Sequence, residues 1–319
     1  MCYSAQIEAD HRKYMRLTGH DIKLLDFYEL FWRRQQDSSL KIPKAMEALF
    51  AQPKNEQEQQ IKSLIDNFNA AQATTLEQDL FKHRKRLADA ERALQIKATK
   101  KDTESQRIAT ARIAWNKGKL ADLSRTELED RDSRIFPRHY APVLMMENGQ
   151  HVVKPMRYQC RLPGKPAFYD TRFPGTYNVR RDSLEGFWKP LFGRTHAVML
   201  ASAFYENVAR HSMEGRQLRE GEEPQNVVLE FKPRPKQDML VACLWSRWSA
   251  PGEPDLLSVA AITDEPPAEV VAAGHDRCII PIRPENLDAW LNPDATNLAA
   301  QYAILDDREQ PYYEHQLAA

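Results

Sequence analysis

A cysteine stands directly behind the initiator methionine in this chain. Methionine aminopeptidase trims Met1 when the next side chain is small, so the mature protein is expected to begin at Cys2, with a free α-amine beside a thiol. Such a 1,2-aminothiol traps aldehydes: the amine condenses to an imine, and the neighbouring thiolate closes on the imine carbon to give a five-membered thiazolidine. Unperturbed pKa values of roughly 8 for the amine and 8.5 for the thiol leave a useful fraction of each nucleophile at neutral pH. The same thiolate can attack a carbonyl as a nucleophilic catalyst. Cysteine fills 4 of 319 positions, so Cys2 alone is a coincidence with attractive chemistry. The rest of the chain has to supply the groups that would serve it.

Those groups need elements to position them, and proline and glycine divide the chain into two regions. Of the 20 prolines 18, and of the 11 glycines 9, follow Phe136. Between Lys54 and Phe136 there is no proline and only Gly118, and Ala, Gln, Glu, Lys, Arg and Leu dominate, which predicts helix. Ile61, Leu64, Ile65 and Phe68 form one apolar stripe; Leu80, Leu87 and Leu94 fall seven apart, as in a helical hairpin or short antiparallel coiled coil. Asn116-Lys117-Gly118-Lys119 reads as its stop, and an earlier helix is expected from about His20 to Gln36. After Phe136 short apolar runs alternate with turn signals. Val143 to Met146, Asn148-Gly149 and His151 to Val153 predict a hairpin. Further strands are expected at Ala197 to Tyr205, Asn226 to Phe231, Met239 to Leu244, Leu257 to Ile262 and Cys278 to Ile282. Helices are expected around Asp182 to Pro190 and from Pro284 to Leu291. The fold class is α+β with an antiparallel-rich sheet.

Composition narrows the function. Lys+Arg and Asp+Glu are both 45, so net charge points to no partner, yet Phe81 to Lys119 carries 12 basic against 4 acidic residues, a local charge of +8. Cys2, Cys160, Cys243 and Cys278 are far apart and form no CxxC pair, which indicates neither a disulfide framework nor a zinc finger. The first thirty residues lack a signal-peptide core, and no apolar run approaches the ~18 residues of a membrane span. A cytoplasmic protein with no membrane association is expected. There is no GxGxxG, Walker loop or internal repeat.

Four strings complete the reading: Met1-Cys2, Tyr177-Asn178-Val179-Arg180, Ala203-Phe204-Tyr205-Glu206 and Gly274-His275-Asp276-Arg277, the last running on through Cys278 to Ile282 and then Pro284-Glu285 and Trp290-Leu291. In this order they resemble the SOS response-associated peptidase (SRAP) family, also called abasic site processing proteins. The resemblance covers roughly residues 1–10 and 132–315. It implies a mixed, mostly antiparallel, barrel-like sheet core with peripheral helices, split into an N-terminal catalytic segment at 1–10 and the remainder at 132–319, with 11–131 as a helical insertion. It also implies a DNA-repair activity: the N-terminal cysteine forms a thiazolidine with the aldehyde of an abasic site in single-stranded DNA, and members are proposed to cut their own N-terminal peptide bond.

Carried onto this chain, the resemblance makes Cys2, Asn178, Glu206 and His275 catalytic and Arg180 and Arg277 DNA-binding. The residue types suit those tasks. An abasic sugar is mostly a closed hemiacetal, and His275 can act as the acid/base that opens it. Glu206 can shuttle protons during imine formation, Asn178 can orient the α-amine, and the two arginines can hold flanking phosphates. No metal or organic cofactor is called for; His275 with Cys278 gives two candidate ligands, too few for a site.

The chain departs from the family in places. Tyr3 and Ser4 stand where the family has Gly and Arg, removing a cation beside the nucleophile. The family's Trp-Gly segment, which pries DNA open, has its counterpart only in Tyr158-Gln159 or Phe168-Tyr169, and Tyr312-Tyr313-Glu314-His315 resembles only the start of the closing segment. The insertion is either a DNA arm, a solvated helical face or a helical contact surface. Two other readings of the whole remain: an N-terminal-nucleophile amidohydrolase, and a non-catalytic DNA-binding or helical interaction protein.

Overall fold

A computed structural model describes residues 4–7, 13 and 22–318. Cys2 and Tyr3 lie outside the described residues. The strands are β1 (Ser4–Ile7), β2 (Arg134–Ile135), β3 (Tyr140–Glu147), β4 (Gln150–Tyr158), β5 (Asn178–Arg180), β6 (His196–Ala209), β7 (Asn226–Arg234), β8 (Met239–Ala250), β9 (Glu253–Asp264), β10 (Cys278–Ile279) and β11 (Tyr312–Leu317). They join one 11-stranded sheet. Within it β3 pairs β4, β4 pairs β9, β9 pairs β8, β8 pairs β6 and β6 returns to β3, so these five close into a barrel and leave no free edge. Only the β4–β9 contact of that ring is parallel. The α+β class with an antiparallel, barrel-like core is therefore what the chain forms.

Local chemistry accounts for the strands. Asn148 and Gly149 adopt φ of 53° and 73°, the two positive angles of a type I′ turn, and the β3–β4 hairpin closes on them in register from Glu147↔Gln150 to Tyr140↔Arg157. The strand β6 is buried almost throughout, because it is flanked on both faces, and so reads as a continuous apolar run rather than an alternating one. It also has two duties. His196 to Ala201 pairs with β8 inside the barrel, while Ala203 to Ala209 pairs with β1 and β7 beyond it. The closing strand β11 is formed, pairing with β7 from Tyr312↔Arg234 to Leu317↔Leu229.

Helices cover the barrel. In α1 (Leu24–Gln36) the buried residues are Phe27, Leu30, Phe31 and Arg34, and Phe50 beyond α2 (Lys44–Ala48) meets Phe27 and Phe31 at ring-centroid distances of 5.6 and 5.8 Å. Two long helices follow, α3 (Glu56–Ile96) and α4 (Lys100–Ser124). Ile61 and Ile65 at the base of α3 share one hydrophobic core with α1 and the barrel. Further along, Ala90 and Ala109 are buried and Leu80, Leu87 and Leu94 are half-buried, as the heptad spacing predicts for a hairpin.

Two expectations need correction. The helix does not stop at Asn116-Lys117-Gly118-Lys119: Gly118 lies inside α4, which runs to Ser124. One glycine costs about 1 kcal/mol relative to alanine, too little to end a helix whose neighbours propagate it. The chain reverses instead at Lys97 to Thr99, where the Thr99 side chain accepts from the Asp102 N–H and caps α4. The expected helix over Asp182 to Pro190 is only a 3-10 turn, Arg181–Ser183, followed by successive turns whose bonds span three residues, such as Gly186 N–H to Ser183 and Leu191 N–H to Trp188. Gly186 and Pro190 interrupt any longer helix. The segment ends at Gly193, with φ of 75°, where a Cβ would run into Leu298 and lie 3.2 Å from the Ala295 Cα.

That turn is tied down by His196, which is 2 % exposed. Its Nε2 accepts the Gly193 N–H at 2.9 Å and its Nδ1 lies 3.1 Å from the Trp290 carbonyl, so Nδ1 carries the proton and the ring is neutral. Burial pushes its pKa down to about 3, and burial likewise pushes His139 down to about 4. The unfolded imidazoles titrate near ~6.5, so below that pH the unfolded chain binds protons that the folded chain refuses. Stability is fully present above pH ~6.5 and is lost as the pH falls toward these depressed values. In urea unfolding the midpoint should therefore drop between pH 6.5 and 4.5, less steeply in His196→Gln; a flat midpoint in the wild type would mean that the buried rings are charged.

Candidate functional site

The sheet brings two of the expected catalytic residues into direct contact. Glu206 lies on the outer half of β6 with its side chain fully buried, and His275 lies on the turn before β10; His275 Nε2 is 3.1 Å from Glu206 Oε2. The other ring nitrogen, Nδ1, lies 2.9 Å from the Arg277 carbonyl and 3.3 Å from the Arg277 N–H. A carbonyl only accepts, and it is the closer group, so Nδ1 donates to it and turns the Nε2 position toward Glu206. Burial lowers the His275 pKa, opposed by the bond to the Arg277 carbonyl. The outcome is a buried imidazole and carboxyl set 3.1 Å apart.

Asn178, also buried, opens β5. Both β5 and β10 pair with the same end of β9: Arg180 and Ile279 lie opposite Thr263, and Asn178 opposite Ala261. The strand that carries Asn178 and the segment that carries His275 thus flank one strand end. The two arginines meet at one carboxylate. Arg180 grips Asp182 through both Nε and Nη2, at 3.2 and 2.8 Å, and Arg277 Nη2 is 4.0 Å from the same Oδ2. A phosphate reaching them has to displace Asp182.

On the opposite face of β6, one residue before Glu206, Tyr205 organises a second set of contacts. Its hydroxyl lies 2.7 Å from Glu230 Oε1 and 2.8 Å from Gln6 Oε1, and Gln6 Nε2 donates to the Asp130 carbonyl at 2.6 Å. Burial and the Glu230 carboxylate both raise the Tyr205 pKa. The register Ser4↔Tyr205, Ala5↔Phe204 fixes β1 beside this network. Arg134 donates from Nε to Ser4 Oγ at 3.1 Å, and its guanidinium lies 3.7 Å from the centre of the Tyr205 ring. A cation thus stands at position 4 although the sequence there is serine. Sequence reading missed Arg134, and its one visible signal is a basic residue at the start of the barrel region. Phe204, by contrast, is core, stacked on Phe231 at 5.0 Å.

The end of β4 and the loop that follows it carry the two segments weighed as counterparts of the family's Trp-Gly segment. Tyr158 is fully buried and packs on Tyr177. Gln159 adopts φ of 107°, a conformation that favours glycine, and its Nε2 donates to the Asp170 carbonyl at 2.8 Å. Phe168 and Phe173 are instead exposed, at 62 % and 44 %. The loop is held by buried Asp170, which Arg161 and Arg157 reach at 2.6 and 2.8 Å. Removing that carboxylate would leave buried cations uncompensated. Asp170→Ala is expected to cost about 3 kcal/mol in chemical denaturation and to open the loop to proteolysis; a loss below about 1 kcal/mol would show that water already serves these arginines.

The internal cysteines offer no competing nucleophile. Cys160, Cys243 and Cys278 are free and buried; burial pushes the Cys160 thiol up to about 12 and raises the other two as well. Among the described residues no group of three or more His, Cys, Asp or Glu side chains is placed to hold a metal ion, and no helix is long and apolar enough to cross a membrane.

The chain is similar to solved structures of a protein from Bordetella bronchiseptica (16% identity, TM-score 0.46, covering 61% of this chain and 90% of that one) and a phage-related protein from the same organism (19%, 0.43, 61% and 85%). A Bacteroides thetaiotaomicron protein is similar at 12% identity and TM-score 0.45, covering 59% of this chain and 78% of the other. No curated protein matches the chain. The sequence profile described as SOS response associated peptidase (SRAP) matches residues 92–318, from the end of α3 through β11. With most of its length matched, the chain belongs to the SOS response-associated peptidase family.

Proposed function

We propose that this protein crosslinks to abasic sites in single-stranded DNA through a thiazolidine formed by Cys2 after loss of Met1. Family membership supports a DNA-damage-associated, peptidase-like role. The observation that carries the finer reading is the buried His275–Glu206 contact at 3.1 Å, one residue along β6 from the point where Ser4 enters the sheet. Ser4 is the described residue nearest Cys2 in sequence, and its pairing with Tyr205, next to Glu206, supports this reading.

The chemistry follows from those groups. His275 takes the proton of the hemiacetal hydroxyl and returns one to the ring oxygen, opening the sugar to its aldehyde. The Cys2 α-amine adds to the aldehyde carbon, and the resulting carbinolamine loses hydroxide as water, with Glu206 and His275 supplying and then recovering the proton. The Cys2 thiolate closes on the imine carbon while the imine nitrogen is protonated. The net change is aldehyde plus aminothiol to thiazolidine plus one water. Asn178 orients the amine; Arg180 and Arg277, released from Asp182, hold flanking phosphates; Arg134 supplies the cation beside position 4. In the peptidase-like role the Cys2 thiolate attacks the Met1 carbonyl, the Cys2 nitrogen leaves and takes up a proton to become the free amine, and water then hydrolyses the Met1 thioester to release methionine and restore the thiol.

The test is a denaturing gel of the purified protein with an abasic oligonucleotide. The wild type should give an adduct that Cys2→Ala abolishes, and Glu206→Gln or His275→Ala should slow its formation by about 100-fold. An adduct that survives in Cys2→Ala would overturn the proposal.

A further inference from the structure

The hairpin α3–α4 is anchored at one end and carries its charge at the other. At the base, Gln35 Nε2 donates to the Leu64 carbonyl and Asn69 Nδ2 to Glu47 Oε2, at 2.6 and 3.2 Å, and Lys44 bonds the Asp122 carbonyl near the end of α4. From Asn69 to Ile96 is about 40 Å of helix at 1.5 Å per residue. The first part of α3, Glu56 to Leu80, is acidic, with Glu56, Glu58, Asp66, Glu77 and Asp79 against Lys62. Beyond it the sign reverses. Lys82, Arg84, Lys85, Lys97, Lys100 and Lys101 are all exposed, and none forms an ion pair among the described residues; of the carboxylates nearby, Asp89 pairs with Arg92, Glu104 with Arg107, and Asp102 caps its helix with Thr99. A solvated helical face normally interleaves both signs. Here, from Phe81 to Lys119, 12 basic residues outweigh Asp89, Glu91, Asp102 and Glu104, on a hairpin in which Ala90 and Ala109 are buried.

We infer that the distal half of this hairpin is a sequence-independent contact for the phosphate backbone of nucleic acid, separate from the His275–Glu206 pair. Lys82, Arg84 and Lys85 lie on α3, Lys97 caps its end and Lys100 and Lys101 open α4, and Lys82 to Ile96 is about 21 Å of helix. That distribution fits a linear array of phosphates better than a compact acidic group. Each phosphate neutralised releases counterions, so the arm adds affinity and salt dependence without base selectivity. It stands whether or not Cys2 crosslinks.

The test uses the full chain and a long abasic-free single strand, with all six cations changed to glutamine, a good helix former. Circular dichroism and the unfolding midpoint should be unchanged. The slope of log K against log salt should fall by about 4, from roughly 0.7 for each of the six lost phosphate contacts. An unchanged slope overturns the inference. So does equal competition by polyglutamate, which would mark an acidic protein surface as the partner, or equally salt-dependent binding to phosphatidylserine vesicles. Adduct formation with a short abasic oligonucleotide, measured on the same variant, reads the Cys2 reaction separately; its absence from the wild type counts against crosslinking and leaves the arm untouched.

Discussion

The antiparallel pairing of Ser4 to Ile7 with the outer half of β6 is the contact on which the site depends. Side chains alternate along β6, so Tyr205 faces one way and Glu206 the other. A slip of one residue would exchange them and send a carboxylate into the Gln6–Glu230 network. The register is held by more than main-chain bonds. Gln6 reaches Tyr205 and the Asp130 carbonyl, and Ser4 receives Arg134. Those contacts join three segments far apart in sequence and fix the place of Ser4 in the sheet.

The barrel makes the arrangement affordable. Glu206 and His275 are buried polar groups whose desolvation has to be offset by partners. The Arg277 carbonyl and the Glu206 carboxyl serve the two sides of the imidazole, and the closed ring of five strands behind them leaves no edge through which the elements could shift. The length of β6 lets one strand serve both purposes: its first half completes the barrel and its second carries Glu206.

Much of this was legible in the sequence where the signal was local. Asn148-Gly149 announced its hairpin because both residues tolerate positive φ, and the strands were visible as apolar runs between turns, although β8 and β9 extend past the runs that marked them. The seven-residue spacing of Leu80, Leu87 and Leu94 gave the helical hairpin. Asn178, Glu206 and His275 came from a resemblance rather than from spacing; the fold then placed His275 on Glu206 and set the Asn178 strand against the same end of β9. What stayed hidden depends on long-range contact. Arg134 lies 130 residues from Ser4 in sequence, and nothing local in either string links them. Asp182 as the shared partner of Arg180 and Arg277 was equally invisible, and the turn at Asp182 to Pro190 looked helical because its interrupting Gly186 and Pro190 are isolated residues whose effect depends on tertiary context.

The account centres on Cys2 as an aminothiol, and intact-protein mass spectrometry tests it most directly. After incubation with an abasic single strand and no reductant, the chain should have lost Met1 and gained the mass of the oligonucleotide less one water, with the addition mapping to the N-terminal peptide. A chain that retains Met1, or an adduct mapping to a lysine, would contradict it.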